Sequence, residues 1–384
     1  MTSHYNIIIL GAGPAGASCA LALKDSGLTV AMIDKAKFPR DKPCGDAIPG
    51  PCLKLLRSLI DDTNFEPLAL NKTTPVVASH VYTSNGNKLE IPWKSEAYNA
   101  TRIDFDSWLV ELVKLHTKTS IYESVDIRNI TNTSLVQLED KSGKNSYSCD
   151  ILIACDGANS LASRKLLQRD IKHVTDGYAI RAYYKNVVCE THTNEFFLLD
   201  EFKGYFWIFP LSNNLYNVGV GLLKPPKQKS FDLKKAMINI IKTHPVISQK
   251  FKHANKMSNI HGFRLPLGGK PFPLSGDRFM LAGDAGHLID PLQGHGIDKA
   301  MESGILAAKQ AQTCFEQNKF NASSMSSYDK QISVVIGSEL KRNMRVMKVL
   351  YLFPWLINFA VGIAERNKDS ILKLFYKKKK NVIH

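Results

Sequence analysis

No stretch of the chain reaches the roughly 18 uninterrupted apolar residues that a membrane-spanning helix requires. The nearest approach, residues 349–363, is broken by Pro354 and Asn358. No two of the seven cysteines stand at C-x-x-C spacing. Cys19, Cys44, Cys52, Cys149, Cys155, Cys189 and Cys314 are scattered and odd in number, which argues against a disulfide framework and against disulfide-reductase chemistry. No metal site is expected. Internal repeats are absent, and the C-terminal tail is the only compositionally biased segment. Acidic residues are in deficit, 35 Asp and Glu against 50 Lys and Arg, a formal charge of +15. No nucleic-acid module accompanies that excess, so no nucleic-acid partner is expected. The excess concentrates in residues 341–384, where eleven Lys or Arg face only Glu365 and Asp369 and the run Lys377–Lys380 lies near the end. That segment reads either as a solvated basic end or as a peripheral membrane contact. A strand-like pattern from residue 5 leaves no room for a leader peptide, so a reduced, cytoplasmic protein is expected, the basic segment being its candidate attachment to a membrane.

What is present begins with that pattern. Tyr5-Asn-Ile-Ile-Ile-Leu10 is an apolar, β-branched run ending in Gly11-Ala-Gly13-Pro-Ala15-Gly16, and an Ala-rich stretch follows. Strand, tight turn and helix start are the parts of a dinucleotide-binding βαβ unit. Gly11 permits the sharp turn, Gly13 has no Cβ to block a pyrophosphate, and Gly16 lets the helix approach the strand. The helix N-terminus then offers free N–H groups and partial positive charge to phosphates. Residues 29–34 read as the second strand, and its Asp34 carboxylate can accept hydrogen bonds from an adenosine ribose. Lys35 follows it. The motif alone does not decide between FAD and NAD.

At 384 residues the chain is long enough for two or three domains. Residues 35–46 form a Pro- and charge-rich loop whose Arg40 and Lys42 are candidates for phosphate contact. Helical periodicity spans residues 47–59 and 104–113, the second capped by Thr101 or Asp104. Ser84-Asn-Gly-Asn87 marks a hairpin. A meander from Ser120 to Ile130 and from Ser134 to Asp150 leads into a buried strand, residues 151–155, that ends at Asp156-Gly157. Asp156 is either a cofactor contact or the cap of a helix from Ala158. Residues 177–224 are β-like and aromatic. Residues 231–252 read as one helix containing Pro245. Residues 278–282 form a strand running into Gly283-Asp284, and Ile297 to Gln312 is a helix. The expected fold is mixed α/β: a Rossmann-like nucleotide domain (1–74, 100–175 and 270–330) interleaved with a β-sheet substrate domain (75–99 and 176–269), then a helical basic segment (331–384).

Three motifs in this order, the glycine fingerprint, Asp156-Gly157 with Ser160 and Arg164, and Gly283-Asp284 with Pro291, Gly294 and Gly296, resemble the flavoprotein fold of p-hydroxybenzoate hydroxylase and its relatives. Two further stretches resemble the geranylgeranyl reductase family: Phe38-Pro-Arg-Asp-Lys-Pro-Cys-Gly-Asp46 is similar to its P-x-x-x-x-C-G-D loop, and Tyr205-Phe-Trp-Ile-Phe-Pro210 to its Y-x-W-x-F-P motif. The chain departs from that family at His295, where an acidic residue is usual, and at Leu211, where a Lys follows the motif.

The resemblance implies FAD at the fingerprint. It implies Asp284 on a ribityl hydroxyl, and backbone N–H groups of Pro291–Gly296 and Ile297 at the pyrimidine end of the flavin. Arg102 resembles the family's flavin-proximal arginine; a surface salt bridge with Asp104 or Asp106 is the alternative. Cys44, with Gly45 and Asp46, is implied to border the active site, an ordinary loop cysteine being the alternative. Tyr205, Trp207 and Phe209 alternate with Phe206 and Ile208, so they either complete a sheet core or wall a cavity for a long apolar substrate. The implied reaction is hydride transfer from reduced FAD to a C=C bond of a prenyl-type substrate, with Tyr205 and His295 as candidate proton donors. No second dinucleotide fingerprint is present, so transiently bound NAD(P)H or a reduced ferredoxin is the implied electron donor, and the basic surface suits an acidic donor protein. The alternative on this fold is a monooxygenase or halogenase working through a flavin C4a-hydroperoxide; the catalytic lysine that halogenases need has no evident counterpart.

Overall fold

The computed structural model describes residues 2–60, 72–168, 177–199, 204–222 and 231–353, together with 355, 356 and 361. Thr2–Leu10 is the hub of an 8-stranded sheet. It runs parallel to Val30–Ile33 on one side and to Ser146–Ala154 on the other. Ser120–Tyr122 and Phe279–Leu281 extend the sheet outward, also in parallel. The continuous apolar run Ile7-Ile8-Ile9 is wholly buried because parallel strands are covered on both faces. Ile7, Ile9, Met32 and Ile153 face the helices Pro14–Ala22, Arg102–His116 and Ile297–Glu316. Ile8, Ile33 and Leu152 face the meander strands Ile127–Asn132 and Val136–Asp140 and the helix Leu161–Leu166.

A second 8-stranded sheet has Gly177–Lys185, Leu215–Leu222, Gly204–Leu211 and Thr193–Leu199 as antiparallel neighbours. Ala78–Tyr82 joins Thr193–Leu199 in parallel and forms the hairpin with Lys88–Pro92. Period-two alternation gives this sheet two different faces. Phe206, Ile208, Val218 and Val220 pack under the helices Leu233–Thr243 and Ile247–Lys250. Trp207 and Phe209, with Ala179, Phe196 and Tyr205, form the opposite face. A small antiparallel sheet is formed by Ala47–Ile48, Tyr98–Asn99 and Thr74–Pro75, with Tyr98–Asn99 in the middle.

Three local expectations change. The helix expected over 231–252 is two, parted at His244–Val246, because Pro245 has no N–H to continue it. Within the meander expected from Ser120, Ser120–Tyr122 and Ile127–Asn132 are separate strands, with Ser124 at a positive φ of 61° between them. The helix expected from Ala158 begins at Leu161, with Ser160 as its cap. Towards the C-terminus, Ala322–Ile332, a π-helical turn Ser333–Gly337 and Ser338–Leu352 follow one another. The expected breaks at Pro354 and Gly362 and the run Lys377–Lys380 lie outside the described residues. Among the described residues no helix is long and apolar enough to cross a membrane.

Candidate functional site

The first site element is the end of strand Thr2–Leu10. Gly11 turns with φ 106°, and a Cβ there would lie 2.3 Å from the Cys155 carbonyl oxygen. A Cβ on Gly16 would come within 1.9 Å of the Gly11 carbonyl oxygen, so helix and turn touch backbone to backbone. Gly13 is different. The nearest atom to a Cβ there is Arg40 Nη2 at 3.6 Å. Its missing side chain therefore keeps a cradle open instead of relieving a clash. Asp34 ends the second strand, accepting from Ala12 N and Ala36 N at 2.8 Å each. Lys35 is exposed beside it.

The second element comes from the far end of the chain. A Cβ on Gly283 would lie 3.3 Å from that of Ala15, and one on Gly304 would lie 2.1 Å from the Ala15 carbonyl oxygen. Small residues thus bring helix Ile297–Glu316 onto helix Pro14–Ala22, and with it the segment that carries Asp284. Lys42 Nζ spans the loop 35–46 to reach Asp284 Oδ2 at 2.9 Å. Both helices begin at a glycine, Gly13 and Gly296, which has no side chain to cap the first-turn amides. Four other helices are capped by Thr101, Ser160, Asp232 and Asn321. The N-termini at Gly13 and Gly296, without side-chain caps, are ready acceptor sites for anionic groups.

The loop before Gly296 is held by Asp290, which is fully buried. Its Oδ1 accepts from Leu292 N at 2.8 Å and Gln293 N at 2.9 Å, and Oδ2 accepts from Asn343 Nδ2 at 2.5 Å. Pro291 is buried and Gly294 takes φ 73°. Tyr205 Oη donates to the Gln293 carbonyl at 3.1 Å, and burial pushes its phenol up to about 12, so it stays protonated. His295 Nδ1 lies 2.9 Å from Asp298 Oδ1. Burial works to lower the His295 pKa, but the Asp298 hydrogen bond and charge outweigh it and raise it above the ordinary value. The two candidate donors therefore meet on one loop.

The third element is the Cys44-Gly45-Asp46 loop, laid directly on the aromatic face. A Cβ on Gly45 would stand 3.1 Å from Phe209 Cε2 and 3.8 Å from Trp207 Nε1. Asn217 clamps the two surfaces. Its Nδ2 donates to Cys44 O and Asp46 Oδ2, both at 2.7 Å, and its Oδ1 accepts from Trp207 Nε1 at 2.9 Å. Tyr183 Oη also donates to Asp46 Oδ2, at 2.8 Å. Asp46 is held at φ 66°, and burial raises its pKa to about 6 despite these donors. Arg181 closes the network, pairing with Asp41 at 2.5 Å beneath the Tyr183 ring.

Arg102 stands behind this loop and is 3% exposed, not on the surface. It grips Asp106 through Nε at 2.6 Å and Nη2 at 2.7 Å. Of the two acidic partners considered for Arg102, Asp106 is the one engaged, and Arg40 Nη1 reaches it too, at 2.9 Å. Burial alone would lower the Arg102 pKa; the Asp106 charge and a hydrogen bond to Cys44 raise it instead. Cys44 thus sits beside a buried guanidinium. Asp156 is drawn into capping, accepting from Leu161 N at 2.6 Å and Ala162 N at 3.2 Å, while Gly157 makes the turn at φ 78°.

Asp41, Arg181, Tyr183, Asn217, Asp290 and Asn343 were not singled out from the sequence. Their one signal is polarity where the pattern is otherwise apolar: Arg181 in Gly177–Lys185 and Asn217 in Leu215–Leu222 are both fully buried. Among the described residues, His80, Glu190 and Glu195 could hold a metal ion, their ligand atoms lying within 4.8 Å. Lys88 and Lys250 already pair with the two carboxylates at 2.9 Å.

Residues 4–311 match the FAD binding domain family. The menaquinone reductase of Mycobacterium tuberculosis strain H37Rv is 28% identical over 324 residues, 79% of this chain and 76% of that protein. Digeranylgeranylglycerophospholipid reductase 2 of Methanopyrus kandleri is 26% identical over 361 residues, 90% of this chain and 86% of that one. A crystal structure of a geranylgeranyl bacteriochlorophyll reductase-like protein from Thermoplasma acidophilum superposes with a TM-score of 0.79 at 22% identity, covering 91% of this chain and 88% of that one, and shares the fold. The residues fit the cofactor: an open cradle at Gly13, helix N-termini without side-chain caps at Gly13 and Gly296, and the cations Arg40 beside Gly13 and Lys42 on Asp284. This chain belongs to the FAD binding domain family, as an FAD-dependent oxidoreductase.

Proposed function

We propose that this protein reduces C=C bonds of a long apolar, prenyl-type substrate. The observation that carries the reading is the aromatic face of Phe196, Tyr205, Trp207 and Phe209 lying against the Cys44–Asp46 loop, with Arg102 behind that loop. Relatives named as reductases of menaquinone and of digeranylgeranylglycerophospholipid support it. Bound FAD, once reduced, supplies the hydride. The chain's own residues do the rest. The half-buried Phe196 and Tyr205 rings, backed by the buried Trp207 and Phe209, hold an alkene by apolar contact and keep water from it, so that orientation provides much of the acceleration. Saturating one double bond takes one hydride and one proton. Tyr205 Oη and His295, whose proton affinity Asp298 raises, are the groups that hold that proton. The helix N-terminus at Gly296 and the Arg102 guanidinium set positive potential at the loop.

A transiently bound NAD(P)H or a reduced ferredoxin renews the electrons, and the +15 charge suits an acidic donor protein. The test is single-turnover oxidation of the anaerobically reduced protein, followed by flavin absorbance. Addition of a prenyl alkene should restore the oxidised spectrum. Reoxidation only when oxygen is admitted, with substrate oxygenated or halogenated in step, would assign the fold's other chemistry.

A further inference from the structure

Exposed large hydrophobic side chains are scattered singly over most of the chain, as on any soluble surface. They crowd in one place. Val346, Val349, Leu352, Phe353 and Trp355 are all exposed, Leu352 by 68% and Trp355 by 61%. The helix Ser338–Leu352 that carries most of them has two distinct sides. Leu340, Asn343 and Met344 are buried. Arg342, Arg345, Val346, Val349, Leu352 and Phe353, spaced by three and four residues, share the outer side. Lys341 and Lys348 are exposed at its edge. The helix has a single acid, Glu339, which pairs with Lys299 at 2.8 Å instead of with these cations.

An apolar strip with aromatic residues at one end, and around it basic residues that pair with no acid among the described residues, matches a surface that is apolar beneath and anionic above. We propose that this helix docks the protein on an anionic lipid bilayer, lying in the plane of the interface. Lysine and arginine stems then snorkel to the headgroups while Val349, Leu352 and Phe353 enter the acyl boundary. A second copy of the chain fits poorly, because pairing two such faces sets cation against cation. Residues 362–384 fit poorly for the same reason, since that segment is itself basic. The inner side gives the docking a consequence, because Asn343 donates to Asp290, the residue that holds the Pro291–Gly296 loop. The proposal extends the reductase reading by naming where an apolar substrate would enter, and its test does not depend on turnover.

The test is co-sedimentation of the flavin-loaded protein with phosphatidylcholine vesicles, with and without phosphatidylglycerol. Binding should require the anionic lipid and weaken as salt is raised. R345Q combined with K348Q should weaken it about 25-fold, since each basic residue near such a surface contributes about 1 kcal/mol, or about fivefold. L352E combined with F353E should abolish it. Both variants should keep wild-type flavin content and circular dichroism. A tail variant with Gln at Lys377–Lys380 should retain binding. The proposal is overturned if the helix variants sediment like wild type, if only the tail variant loses binding, or if light scattering shows an oligomer that the same helix substitutions dissociate.

Discussion

At the scale of single residues, the site's glycines divide into those the fold needs and those the ligand needs. Gly16→Val drives a Cβ into the Gly11 carbonyl oxygen and should prevent folding. Gly13→Val meets only the end of the Arg40 side chain, at 3.6 Å, and should give a folded, colourless protein, read by circular dichroism and flavin absorbance. Asn217→Leu leaves the Trp207 indole N–H and the Cys44 carbonyl without their buried partner. It should cost about 3 kcal/mol in chemical denaturation, in line with the penalty for unsatisfied buried groups. Trp207→Phe keeps an aromatic ring on the sheet and should change substrate turnover while leaving flavin content unchanged. For His295 the shift is upward, so its pairing with Asp298 stabilises the fold fully below the unfolded histidine value of about 6.5 and is lost as pH rises through the raised folded value. Where this imidazolium supplies the proton, turnover falls over the same rise. Asp298→Asn should move that alkaline limb to lower pH, seen in the pH dependence of single-turnover rates.

At the scale of elements, what was legible in the sequence was local. Strand, Gly11-x-Gly13-x-x-Gly16 and helix are contiguous, and their chemistry follows from spacing alone. The aromatic alternation of Tyr205, Trp207 and Phe209 was equally plain, but whether that face was core or cavity wall depended on what covers it. Gly204–Leu211 buries Phe206 and Ile208 against helices and sets Trp207 and Phe209 against the loop at Gly45. The polar clamps were not legible, because their partners meet only after folding: Asn217 and Asp46 are 171 residues apart, Asn343 and Asp290 are 53 apart. Helix Ser338–Leu352 falls in the same class. Its sequence reads as a basic helix, and only the fold reveals that Asn343 supports the loop at the N-terminus of another helix. Asn343→Ala should therefore raise the FAD dissociation constant about tenfold, equivalent to about 1.4 kcal/mol, without loss of helix content.

At the scale of the whole molecule, two sheets divide the work. The parallel strands of the first sheet lead into two glycine-started helices that present amide dipoles to a dinucleotide, the use that open α/β sheets make of their carboxyl ends. The antiparallel sheet contributes one apolar face, and the Cys44–Asp46 loop stitches it to the nucleotide side through Asn217, Tyr183 and Arg102. On the proposed function, this arrangement brings a bound flavin and an apolar substrate together. The central claim is that electrons pass from that flavin to a carbon–carbon double bond. The measurement that tests it most directly is anaerobic incubation of the chemically reduced protein with prenyl lipids, followed by mass spectrometry of the extracted lipid. The account predicts a gain of two hydrogens for each double bond consumed, with flavin oxidised in equal amount. Recovery of unchanged alkene from a flavin-loaded protein with every prenyl lipid tried, or a product carrying oxygen or halogen once air is admitted, would contradict it.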